Sequence, residues 1–386
     1  MTVELHGTVD DGFGRVADAF VANFERKGDV GAACCVYVDG HPVVDIWAGV
    51  ADHTTGRAWA SDTLQLVFST TKGLTAIGAH VLVQQGLLDL DAPIATYWPE
   101  FAANGKDTIP VRWVLCHKAG LADVVGDLTL DDVLAWDPVV AAIAAQATNW
   151  EPGTAHGYHA RSYGWIMGEI IRRITGRSVG QFVLDEIGGP VGAEFFIGLP
   201  AELERLVSRV IPPEPPADPA MRQLMDEVMS EEYLIGRVMT GPSNLFRYDE
   251  MWNTRELHAA ELPSSNGICT ARDLARIYAA TVGEIGGVRL LEPATLASAC
   301  EVQAEGPDHV IGTAMRFGSG FMLGDAMGPT APPTMFGHAG AGGSLGCADA
   351  DAHLGFGYVM NRMRLDPAAP DTRAAGLVKR VYTSLG

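Results

Sequence analysis

The chain has 386 residues, 47% of them hydrophobic and 19% charged, with a net charge of −20 at neutral pH. That composition describes a globular chain with a large core and excludes a disordered one. The acidity sets the chain against phosphate backbones and anionic lipid, so neither nucleic acid nor a membrane surface is expected as a partner. No apolar run reaches the roughly 18 residues of a membrane span. The N-terminus has no basic segment followed by an apolar stretch, so no signal peptide is expected.

Phe13, Val16, Ala17, Phe20, Val21 and Phe24 recur at three- and four-residue spacing, which predicts an amphipathic helix. GAACCVYV (31–38) and PVVDIWAG (42–49), joined through Asp39-Gly40, predict a β-hairpin. On a strand the adjacent Cys34 and Cys35 point to opposite faces. With Cys116, Cys269, Cys300 and Cys347 they match no zinc or CxxC spacing. All six are expected as small buried apolar residues in a reducing, cytoplasmic compartment. LQLVF (64–68) predicts a short strand leading into Ser69, and TTKGLTAIGAHVLVQQG a helix ending at Gly86.

From about 90 to 260 helical patterns alternate with Pro/Gly loops. PPEPPADP (212–219) is too stiff for a helix or an inner strand. Met221, Met225 and Met229 stand four apart on one helical face, and suit either a core stripe or an adaptable apolar wall over an acyl pocket. Thr270 to Asp273 reads as a capping box with Asp in place of Glu, opening a helix over 271–281. SGFMLG (319–324), FGHAGAGGSLGCAD (336–349) and HLGFGYVMNRM (353–363) predict consecutive strands, and 369–385 a closing helix. Both ends are α/β in pattern and the middle is helical. This predicts an α/β lobe of 1–68 and 265–386, a mainly helical lobe of 69–264 inserted into it, and a site at the seam.

Two serine motifs compete for a catalytic role. Gly342-Gly343-Ser344-Leu345-Gly346 matches GxSxG, a nucleophile elbow that needs a helix after the serine, then an acid and a histidine downstream. Here a strand is predicted to follow, and the one later histidine is His353, nine residues on. Ser344 is therefore expected in a tight turn between strands. Ser69-Thr70-Thr71-Lys72 matches SxxK at a helix start, which puts serine and lysine on one face, one turn apart. The helix N-terminus adds positive potential near the serine oxygen. A serine hydroxyl needs a base beside it, and a lysine serves where burial and neighbours lower its pKa. The chain has only five lysines, and one stands at this offset.

Three further segments bear on the choice: Val111 to Leu121 (VRWVLCHKAGL), Trp150 to Ala160 (WEPGTAHGYHA) and Phe336 to Ala341 (FGHAGA). With SxxK, and from about residue 13 to the C-terminus, they make the chain resemble the penicillin-recognising serine enzymes. These are the class C β-lactamases, the D-alanyl-D-alanine carboxypeptidases and the family VIII carboxylesterases. The resemblance implies a β-lactamase-like fold, α/β plus α, with an antiparallel sheet flanked by N- and C-terminal helices and an inserted, mainly helical lobe. It implies Ser69 as nucleophile and Lys72 and Tyr158 as general base and acid. The backbone N–H groups of Ser69 and Ala341 would receive the oxyanion, and His338, Ala339 and Gly340 would lie along the substrate. A tyrosine beside a cationic lysine is expected to lose its proton more easily than in water.

The chain departs from the pattern twice. Ala160 stands where the family's YxN motif has Asn, and His338-Ala339 where its KTG box has Lys-Thr. Those missing side chains hold the amide and carboxylate of β-lactams and peptides. Their loss points to a serine carboxylesterase acting on small to medium uncharged esters through a Ser69 acyl-enzyme, with no cofactor and no metal. An acyltransferase on the same acyl-enzyme, a weak β-lactamase and a silent binding domain are the alternatives, and the oligomeric state is open. His117 and Lys118 are expected as helix-end and loop residues. His156 and His159 lack the carboxylate motif of a metal site. Ser264-Ser265-Asn266 spells the SxN motif of related enzymes, but comes so late in the chain that a loop before Thr270 is predicted.

Overall fold

A computed structural model describes residues 3–328, 330–365 and 371–386. The predicted hairpin is there, as β2 (Gly31–Val38) and β3 (His41–Asp52), after an edge strand β1 (Leu5–Val9). Asp39 and Gly40 between them both have positive φ, 49° and 79°, as a two-residue type I′ turn requires. The later strands are β4 (Ala304–Pro307), β5 (Ala314–Phe317), β6 (Met322–Leu323), β7 (Met335–Ala339), β8 (Leu345–Asp349) and β9 (Leu354–Met360). The sheet is antiparallel and runs β1-β3-β2-β9-β8-β7-β6-β5-β4, with the short strand Arg57–Ala58 paired to β3. The pairing of β9 with β2 joins the two ends of the chain. The strand predicted over 336–349 is in fact two, β7 and β8, broken by a turn at 340–344.

Around the sheet run α1 (Gly14–Arg26), α2 (Thr71–Gln84), α3 (Ser162–Thr175), α4 (Pro219–Val228), α5 (Leu234–Thr240), α6 (Ala271–Val282) and α7 (Arg373–Leu385), with other helices, among them Asp137–Ala145, and helical turns between them. The predicted closing helix thus begins at Arg373, and positions 369–370 of that prediction lie outside the described residues. The alternation of side chains along a strand sorts the core into two faces. Cys34, Val36, Ile46, Phe356 and Tyr358 meet Val16 and Phe20 of α1 and Leu377 and Val381 of α7. Cys35 faces the other way, into the cluster that holds Leu274 and Tyr278 of α6. On that side β9 carries glycines because α6 lies hard against it. A Cβ on Gly355 would sit 2.5 Å from the Ala275 carbonyl oxygen. Thr270 caps α6, accepting the Asp273 N–H at 3.0 Å and donating to the Asp273 carboxylate at 2.7 Å.

The residues from 69 to 264 add no strand to the large sheet among those described. They hold α2, α3, α4 and α5, and a three-stranded sheet of Gln65–Leu66, Phe195–Phe196 and Ile268–Cys269 ties them to the rest. Every residue of α2 from Thr71 to Leu82 is buried. A helix enclosed on all sides needs no polar face, and its start is where the site forms. Among the described residues, no helix is long and apolar enough to cross a membrane.

Candidate active site

The strand Gln65–Leu66 passes through a single helical turn, Phe68–Thr70, straight into α2. Phe68 has φ 47°, a conformation a non-glycine residue holds only when its surroundings insist on it. Its ring is locked edge-on against Trp252 and Tyr248, at centroid distances of 5.1 and 5.7 Å. Thr71 completes the turn, donating to the Phe68 carbonyl at 2.5 Å and accepting the Gly267 N–H at 2.8 Å. Ser69 is thereby held half-buried at the head of α2, with Lys72 one turn on.

Lys72 is fully buried. Its Nζ reaches Ser69 Oγ at 3.2 Å, the Ala160 carbonyl at 2.6 Å and the Ser264 carbonyl at 3.1 Å. Burial first, and the positive charge of Arg161 second, hold its pKa well below that of an ordinary lysine. A neutral amine has two N–H groups and one lone pair. With its N–H groups on the two carbonyls, a neutral Lys72 would turn its lone pair toward the serine hydroxyl.

The ring of Tyr158 lies 4.9 Å from Lys72 Nζ. Burial pushes its phenol up, with the hydrogen bond to Ser69 opposing. This corrects the sequence-based expectation of an easily ionised tyrosine beside a cationic lysine, because both groups are desolvated and both favour their neutral forms. The backbone N–H of Tyr158 donates to Asp308 Oδ1 at 3.0 Å, an oxygen that also accepts from Val310 and Ile311 at 2.9 and 2.8 Å. Asp308, on the β4–β5 connection, is a site residue that the sequence did not single out.

The nearby histidines are wired to backbone. His117 Nδ1 accepts the His159 N–H at 3.1 Å. His159 Nδ1 donates to the Gly157 carbonyl at 2.6 Å and its Nε2 accepts the Leu121 N–H at 3.1 Å. Burial holds His159 down to about 4. His338, on β7, donates from Nδ1 to the Ala339 carbonyl at 2.7 Å. Burial first, with any protonation of nearby Lys72 adding to it, pushes its pKa down to about 3. His338 is therefore neutral in the cleft and supplies no counter-charge. Among the described residues, no cluster of three or more His, Cys, Asp or Glu side chains is arranged to hold a metal ion.

The turn after β7 closes onto the Ser69 segment. A Cβ on Gly340 would stand 2.1 Å from the Val67 carbonyl oxygen, so only glycine permits the approach. Ser344 is buried, donates to that same carbonyl at 2.8 Å and lies 3.1 Å from Thr70 Oγ1. It occupies the predicted turn and clamps it to the Ser69 segment. Among the described residues, neither the Ser69 nor the Ala341 N–H donates to a protein group. Beneath the turn, the fully buried Arg373 donates to the Gly342 carbonyl and pairs with Asp29 and Asp371, at 2.6 Å each. Tyr358 donates to Asp29 at 2.6 Å.

Ser69, Tyr158, His338, Ala339, Gly340 and Ala341 all line one cleft of about 1040 Å³. Its walls are mainly apolar and rich in methionine, with Met225, Met229, Met239, Met315, Met322, Ile235 and Ile311, but they also carry Arg222, Arg247, Glu214, Asp226 and Glu231. No residue of α4 is buried, so Met225 and Met229 form a wall and not a core stripe. Met221 faces an adjoining groove. The Ser264-Ser265-Asn266 segment is the predicted loop before Thr270, and its Ser264 carbonyl accepts from Lys72 Nζ.

Comparison with known proteins agrees with this geometry. The beta-lactamase family profile matches residues 17–379. "Esterase/beta-lactamase LipL" of Mycobacterium tuberculosis is 35% identical over 372 residues, 93% of this chain and 83% of that protein. The crystal structure of a family VIII carboxylesterase is similar at a TM-score of 0.88 and 37% identity, covering 99% of this chain and 100% of that one. EstA from Arthrobacter nitroguajacolicus Rue61a is similar at 0.84 and 32%, over 100% of both chains. A match over nearly the whole length, on a fold of the same architecture, settles the lineage: the chain belongs to the beta-lactamase family and is a serine hydrolase of it.

Proposed function

We propose that the protein is a serine carboxylesterase, cleaving uncharged esters with apolar acyl groups through an acyl-enzyme on Ser69. The observation that carries this reading is the Lys72 amine, held by two carbonyls with its third direction toward Ser69 Oγ. Lys72 takes the hydroxyl proton as Oγ attacks the ester carbonyl. The oxyanion is received by the Ser69 and Ala341 N–H groups, which have no other protein acceptor to leave among the described residues. The C–O bond to the alcohol then breaks. The alcohol departs with the Tyr158 proton, and the Lys72 ammonium returns its proton to the phenolate. Water, deprotonated by the same amine, cleaves the acyl-enzyme and restores Ser69. In this reading the chemistry sits at the seam between a lobe of 1–68 and 265–386 and the helical lobe of 69–264.

Substrate class follows from what the cleft does not supply. His338 is neutral, and Ala339 and Ala160 carry no hydrogen-bonding side chain. A carboxylate brought against these three residues loses water without gaining a partner there, at a cost of several kcal/mol by order of magnitude, and the cations that line the cleft, Arg222 of α4 and Arg247 beyond α5, belong to other segments of its wall. A cleft of about 1040 Å³ lies at the upper end of small-molecule sites. It admits a medium-sized alcohol part beside the acyl chain, and flexible methionines adapt to different acyl shapes. The test compares kcat/KM for p-nitrophenyl butyrate and for nitrocefin under one set of conditions. The ester is expected to win by about 100-fold or more, the equivalent of about 3 kcal/mol. Equal or better efficiency on nitrocefin overturns the ester reading in favour of a β-lactamase.

A further inference from the structure

Arg161 belongs to no motif and does not line the cleft, yet its surroundings are unusual for a charge. The residue is 7% exposed. Its guanidinium lies 4.3 Å from the ring centre of Phe246 and 5.3 Å from that of Trp252. It donates to Ser265 Oγ at 3.0 Å and to the Met239 carbonyl at 2.9 Å, and its Nε has no partner among the described residues. No carboxylate pairs with it among those residues. Burying a cation without a counter-ion opposes folding, so this one calls for an explanation.

Its position supplies one. The two carbonyls that hold Lys72 Nζ belong to Ala160 and Ser264. Each precedes a residue of one cross-link: Arg161 donates to Ser265, and the Ser264 hydroxyl donates back to the Arg161 carbonyl at 3.1 Å. The spacing of the two acceptors that orient the amine is therefore fixed by this doubled tie. We propose that Arg161 is the positioning residue of the Ser69–Lys72 pair, bracing the two carbonyls that aim the amine and placing a fixed positive charge behind it. This rests on the reading of Lys72 as base.

The other groups facing Lys72 do not compensate that charge. They are the phenols of Tyr158 and Tyr163, and the buried His117, His159 and His338, with Tyr248 beside Arg161. Burial favours the neutral form in each, so no anion among them offsets the guanidinium. A neighbouring cation disfavours protonation of an amine. Removing it raises the pH below which Lys72 stays protonated and useless as a base. The acid limb of kcat/KM then moves to higher pH.

The experiment uses Arg161→Met, which removes charge and brace, and Arg161→Lys, which keeps the charge and loses the two-point tie. With only five lysines in the chain, ¹³C-lysine NMR follows the Lys72 resonance directly. In Arg161→Met, that titration and the acid limb of kcat/KM should both rise by about one pH unit, with kcat lowered more than KM is raised. In Arg161→Lys the titration should stay in place while the high-pH plateau of kcat falls several-fold. If Arg161→Met does not fold, Arg161→Gln carries the same test, because its amide still donates to Ser265. A folded variant without the charge in which Lys72 titrates as in the parent overturns the proposal, as does a shifted titration in Arg161→Lys. A Lys72→Ala enzyme with near-parental turnover would instead sink the reading of Lys72 as base, and the NMR result would stand apart from it.

Discussion

Ser69→Ala is expected to lose ester turnover by about 10⁴-fold or more and all covalent labelling by a fluorophosphonate. Ser344→Ala is expected to keep the label on Ser69, at a reduced rate. Its hydroxyl ties the Val67 carbonyl and Thr70 to the turn, and losing that tie costs about 1 to 3 kcal/mol. Mass spectrometry that placed the label on Ser344 would refute the assignment. Lys72→Ala and Tyr158→Phe should each lose orders of magnitude in kcat, and the double variant little more than the worse single, because the three side chains work as one unit. A Tyr158→Phe enzyme with normal kcat would take the phenol out of the mechanism.

The second large effect concerns the ion pair beneath the turn at 340–344. Arg373→Met strips Asp29 of its buried partner and frees the Gly342 carbonyl. Breaking one side of a buried pair costs about 3 to 5 kcal/mol, read as a fall in unfolding free energy in urea. Adding Asp29→Asn to Arg373→Met should restore part of that loss, since the stranded carboxylate is gone. Turnover should stay low in the double variant, because the turn that carries Ala341 has lost its anchor. An Arg373→Met protein as stable as the parent would show that the pair does not hold this region.

The Ser69–Lys72 pair was legible because it depends on local spacing alone, three residues on one helix. The β2–β3 hairpin was legible for the same reason, through its alternation and its Asp-Gly turn. Tyr158 and Ala341 were reached only through resemblance, since nothing local announces them. Arg161, Asp308 and the Asp29–Tyr358–Arg373 group were missed. Each acts across a large sequence separation, 104 residues for Arg161 to Ser265 and 344 for Asp29 to Arg373. Periodicity reports which face of an element is apolar and not what lies opposite, so the α4 methionines stayed undecided between core and cleft. The edge strand β1 escaped notice because its middle residues are exposed, leaving no buried alternation to read.

The anchoring of the Gly342 carbonyl by α7 also sets an order in time. A chain emerging during synthesis presents Ser69, Lys72 and Tyr158 early, but β9 and Arg373 come only near its end. Until those arrive, β2 lacks its neighbour and the turn bearing Ala341 has nothing beneath it. Under the proposed mechanism, Ser69 is therefore synthesised well before the turn whose N–H would receive the oxyanion is braced. Under that mechanism, competence should switch on only once α7 has docked beneath the turn.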